Sequence, residues 1–200
     1  MDGDSRTWTM RAIPFLGTAC VAACLAILAA APARAQGTPP APPAPETGLG
    51  KATGLPVPRY VSLKSDRVNL REGPSKDHRT AWVFQRAGLP VEIVAEFETW
   101  RRIRDSEGTE GWVLHSLLSG RRTALITPWA KGEAAPLPLY ERADERAEVV
   151  ARLQPNVIAN VRQCTGAWCR ITVVNKAAGD LTGFVRQDRL WGVYPNEKVE

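Results

Sequence analysis

Histidine is nearly missing from this chain: of 200 residues only His78 and His115 are imidazoles. Cysteine is scarce too, with four in all, and two of these, Cys20 and Cys24, fall in an N-terminal apolar run. A zinc site would need ligands beyond Cys164 and Cys169, and the two histidines lie far from them in sequence. No metal or cofactor is therefore expected. "HSLLSG" at 115–120 puts a histidine near serines, but closeness in sequence does not make a catalytic triad. Glu92, Glu96, Glu98 and Asp105 are scattered over short segments that offer little room for a cleft, as paired carboxylate catalysis would need. The chain is not expected to be an enzyme. Dense basic stripes are absent as well. The formal charge is +5, and "WRRIR" and "GRR" are the nearest things to a patch, which argues against nucleic acid.

What is present begins with a charged start (Arg6, Arg11), an apolar stretch over 12–31, and the Ala-x-Ala pattern Ala33-Arg34-Ala35. This reads as a secretory signal peptide, 1–35, cleaved after Ala35. The chain would then be periplasmic or secreted, with no membrane span left after cleavage. Two alternatives stay open: an uncleaved membrane anchor, or lipidation at Cys24, where "VAAC" is similar to a bacterial lipobox. Residues 36–58 are rich in Pro and Gly without apolar period, and are expected to be a disordered linker.

The remainder repeats itself. "WRRI" (100–103) and "GWV" (111–113) return as "WCRI" (168–171) and "GFV" (183–185), with four extra residues in one loop of the second copy. Each copy reads as short strands: in the first, 68–70, 81–84, 89–96, 100–104 and 111–114, then a turn at 115–117. The stretch 140–153 has helix-forming composition. Its counterpart in the first copy holds Gly73-Pro74, so the repeat argues for strand and turn there too. The fold class expected is all-β: two tandem small barrels, over 59–122 and 123–200.

"VNLREGPS", an apolar pair before Gly, "V-x-I-V", "W-x-x-I", "GWV" and a closing Leu come in the order seen in bacterial SH3-like domains. The first copy resembles them closely and the second, divergent copy more weakly. "LWGVYP" (190–195) is similar to the close of exported proteins with paired SH3-like domains. The resemblance implies non-catalytic binding modules that engage cell wall peptidoglycan or an envelope protein or peptide. A structural or regulatory protein–protein scaffold in the periplasm, without glycan binding, is the alternative.

"RVNLREGPS" (67–75) is not a phosphate loop: one Gly is followed by a Pro that has no amide hydrogen, and no helix follows. It reads as the opening strand of a barrel, with Arg71 and His78 at the loop rim. Trp100 and Ile103 are three apart, so in a strand they face opposite ways. With Ile103 in the core, Trp100 is expected on the outer face and partly exposed, beside Arg102. Trp100, Arg102, Arg71, His78 and Trp112 are the expected ligand contacts. Cys164 and Cys169 flank "TGAW" and face each other if that segment is a hairpin, which predicts a structural disulfide. Their counterparts, Glu96 and Arg101, are expected to form a surface ion pair.

Overall fold

The computed structural model describes residues 48–130, 132, 135–175 and 179–200. The expected signal peptide, with Ala35 and Cys24, lies outside the described residues, as does the linker up to residue 47. From Gly48 onward the expected linker is ordered. Gly48–Leu49 (β1) and Pro56–Val57 (β2) form an antiparallel hairpin.

The first barrel comprises β3 (Arg59–Leu63), β4 (Val68–Arg71), β5 (Thr80–Phe84), β6 (Pro90–Phe97), β7 (Trp100–Arg104), β8 (Glu110–Leu114) and β9 (Leu118–Ser119), with a 3-10 turn at His115–Leu117. The second comprises β10 (Thr123–Ile126), β11 (Leu137–Tyr140), β12 (Val149–Leu153), β13 (Ile158–Thr165), β14 (Trp168–Val173), β15 (Leu181–Arg186) and β16 (Leu190–Trp191), with its own 3-10 turn at Gln187–Arg189. The strand orders are β5-β4-β8-β7-β6-β3-β9 and β12-β11-β15-β14-β13-β10-β16, which are the same path. A last strand, β17 (Lys198–Val199), adds to β13. The expected all-β pair of barrels is thus present, and 140–153 is strand, turn and strand rather than helix. Among the described residues no helix is long and apolar enough to cross a membrane.

Alternation builds each core. Val68 and Leu70 on β4, Val91 and Ile93 on β6, Ile103 on β7 and Val113 on β8 point inward together. Leu139, Val161, Ile171 and Val185 do the same in the second barrel. The repeated glycine of "GWV" and "GFV" has a steric cause. A Cβ on Gly111 would lie 2.5 Å from Leu70 Cγ, and one on Gly183 would lie 2.6 Å from the Tyr140 carbonyl oxygen. The crossing strand passes too close there for any side chain.

Cys164 and Cys169 are cross-strand partners and are disulfide-bonded, buried in the second core. Glu96 and Arg101 are partners at the equivalent place in the first barrel, 3.4 Å apart. They were expected at the surface, and both are buried. The hairpin β1–β2 is the reason. It lies over this end of the barrel, and the Ala52 and Thr53 amides donate to Glu96 Oε2 at 3.0 and 2.9 Å. The Thr53 hydroxyl and Arg59 add bonds of 2.7 Å to Oε1. Burial pushes the Glu96 carboxyl up, but these donors and the Arg101 charge outweigh it and hold the pKa at about 2.

The barrels meet through the chain's last turns. Tyr60 of the first barrel packs edge-on to Trp191 at 5.3 Å and tilted against Tyr194 at 4.6 Å. The Tyr194 hydroxyl donates to Glu92 Oε1 at 2.8 Å, and the Thr123 hydroxyl to the Gly88 carbonyl at 2.8 Å. Burial first, then the Glu92 carboxylate, raises both phenols well above their usual pKa, so both stay neutral. Arg122 grips Glu197 by two bonds of 2.7 and 3.0 Å, which fixes the last turn.

Two stability tests follow from the paired caps. Replacing both Cys164 and Cys169 by Ala should cost about 2 kcal/mol in urea denaturation, the worth of closing so short a loop; an unchanged midpoint would mean the disulfide adds nothing. The Glu96 pKa is lowered on folding from an ordinary 4.5 to about 2. Its stabilisation is therefore complete above about 4.5 and is lost as pH falls towards 2. Glu96→Gln should flatten the fall of stability over that acid range, and a slope identical to the parent's would refute the assignment.

Candidate functional site

On β7 and β8 the outward residues pair as Trp100 with Leu114, Arg102 with Trp112 and Arg104 with Glu110. On β4, Arg71 lies opposite Trp112. Arg71, Trp112 and Arg102 thus form one row across the outer face of the sheet. Arg67, Asn69 and Arg71 alternate with the core residues Val68 and Leu70, so they share that outer face.

Next to this row is a groove of about 280 Å³ lined by Arg67, Asn69, Arg71, Lys76, Trp100, Leu114 and Leu117. Three of the seven are cations and none is acidic. Arg67 and Lys76 are exposed, and Arg71 is half-buried, its Nη1 donating to the His78 carbonyl at 2.6 Å. That bond, with the ion pair between Glu72 and Arg79, ties down the loop that carries Lys76. The groove can offer cationic groups over an apolar wall made by an indole and two leucines.

The expected contacts divide accordingly. Trp100 and Arg71 come together in the groove. Trp100 is on the face opposite Ile103, as alternation requires, but it is not exposed: only 7% of it is reached by solvent. Its ring is one wall of a groove that leucines and arginine stems close over. Arg102 is on the same face but is committed to Glu110 at 2.5 Å. Trp112 is half-buried in the row beside the groove and does not line it. His78 is exposed, with its ring against Gly73, on the far side of the loop. Arg67 and Lys76 were not singled out, although the alternation of "RVNLR" already set Arg67 on the outer face.

The second barrel lines its own version of the groove, of about 310 Å³, with Pro138, Tyr140, Glu145, Arg186, Asp188 and Arg189. Tyr140 stands where Arg71 does, opposite Phe184. It meets Trp168 edge-on at 5.8 Å, and the Arg186 guanidinium sits 5.7 Å over the same indole. Trp168, the counterpart of Trp100, is half-buried, and the groove beside it mixes Glu145 and Asp188 with Arg186 and Arg189.

Two antiparallel barrels of one topology, each with a groove on its outer face, define a tandem β-barrel protein by architecture. Residues 64–120 and 133–192 match the bacterial SH3 domain family, and the chain belongs to that family. Two solved structures show similarity: NlpC2 and NlpC1 from Trichomonas vaginalis, each 12% identical with a TM-score of 0.30. They cover 68% and 71% of this chain, and the chain spans about half the length of each, 48%. No curated protein matches it.

Since Trp100 is buried, Trp100→Ala should unfold the first barrel more readily, by about 3–5 kcal/mol as for other buried aromatics. Thermal or urea denaturation checks this, and a loss below about 1 kcal/mol would mean that the ring is not part of the packed structure.

Proposed function

We propose that the chain is a non-catalytic binding module of the cell envelope, exported by its N-terminal signal, which engages carboxylate-bearing peptide of the wall or of an envelope protein. One observation carries this reading: the groove on the first barrel surrounds the Trp100 indole with Arg67, Arg71 and Lys76 and no acid. An anionic, partly apolar segment matches that surface in both charge and polarity. Membership of the bacterial SH3 domain family and the disulfide in the second barrel support the exported, wall-facing setting. A protein–protein scaffold is the second reading. It is favoured by Trp82, 59% exposed on β5 at the edge of the first sheet, where a partner strand could add.

Sedimentation of the protein from Gln36 onward with purified peptidoglycan tests the first reading. The bound fraction should fall with rising salt, and Arg67→Glu with Lys76→Glu, both exposed and safe for folding, should reduce it several-fold. Failure of the unaltered protein to sediment would reject the wall and turn the search to crosslinked envelope proteins.

A further inference from the structure

Three aromatic rings, Tyr60, Trp129 and Trp191, line a cleft of about 550 Å³ where the two barrels meet. Tyr60 comes from the first barrel; Trp129, Arg186, Asp188, Trp191 and Asn196 come from the second. The volume is in the range of roughly 300–1,000 Å³ usual for small-molecule sites. Its character differs from that of the Trp100 groove. The one cation, Arg186, is balanced by Asp188 at 3.6 Å, and both ends of that pair are open to water.

Two independent features look built. Trp129 is 52% exposed at the mouth, an expensive position for an indole, whereas Trp191 in the same cleft is half-buried and Trp100 is buried. It is held there by a strained turn. Thr127, a β-branched residue, has φ of 34°, its amide donates to the Arg189 carbonyl at 2.9 Å, and its carbonyl accepts from the Ala130 amide at 3.0 Å. Strain of this kind persists where the surrounding structure imposes it, and it gathers at ligand sites. Opposite, Asn196 is also left-handed, with φ of 61°, in the turn whose backbone abuts Gly166.

We infer that this inter-barrel cleft is a second binding site, for an uncharged sugar ring of a glycan. A pyranose has an apolar C–H face, which suits the flat Trp129 indole, and an edge of hydroxyls. Asp188 can accept from those hydroxyls and the Asn196 amide can both donate and accept. An anion gains nothing here, because the one cation is already balanced. A purely apolar peptide would leave the carboxylate and the amide without partners. Since Tyr60 and Trp191 are also the joint between the barrels, the site requires both barrels in their observed places.

The test is calorimetric titration of the protein from Gln36 onward with a soluble, neutral N-acetylglucosamine oligomer, beside a proline-rich peptide of similar mass. The oligomer should bind and the peptide should not. Trp129→Ala should weaken binding about tenfold or more, and Asn196→Gly, which keeps the left-handed backbone at ease, should weaken it measurably. Arg67→Glu, in the other groove, should leave it unchanged. Trp129 is exposed, so its variant should fold, as circular dichroism would verify. Three results would overturn the inference: no oligomer binding at millimolar concentration, equal binding by Trp129→Ala and the parent, or tighter binding of the peptide than of the oligomer.

Discussion

One buried carboxylate organises the N-terminal half of the described structure. Glu96 accepts from the hairpin that precedes the first barrel, from Arg59 on its first strand, and lies against Arg101 on the facing strand. The carboxylate would be a liability alone, since a buried charge without partners is costly. Together the carboxylate and its donors fasten a segment with no apolar core of its own. The hairpin stays in place because its amides have somewhere to go, and the barrel end stays closed because the hairpin covers it.

The second barrel solves the same problem with covalent chemistry. At the position of Glu96 and Arg101 it has a disulfide, and at the position of Glu98, which is left-handed with φ of 47°, it has Gly166 with φ of 100°. Among the described residues no hairpin covers that end; β17 pairs beside it instead. The grooves diverge in the same spirit. Acids and cations mix around the second, while cations alone rim the first. One topology thus carries two different surfaces, which is how a duplicated chain gains a new contact without a new fold.

Much of this was legible in the sequence because it rests on period and sterics. Val68 and Leu70, the paired "GWV" and "GFV", and the cysteine spacing each report a local geometry that the strands then adopt. The hairpin at 48–57 was not legible, because it is held by backbone amides on a distant carboxylate and not by any apolar pattern. Nor was the covering of Trp100. Alternation tells which face a residue takes; how far neighbours such as Leu114 and Leu117 then crowd it is not set by period. The burial of Glu96 and Arg101 escaped notice for the same reason as the hairpin.

The two barrels close by pairing first strand with last, β3 with β9 and β10 with β16, along one shared strand path. Twin ladders joined by a short connection invite exchange of hairpins between them during folding. The unlike caps work against such an exchange. Glu96 and Arg101 lie on one hairpin, so β6–β7 seated in the second barrel would keep that pair but lose the Ala52, Thr53 and Arg59 donors that its buried carboxylate needs. The donors on β1–β2 and β3 therefore act as a key by which the first barrel recognises its own hairpin.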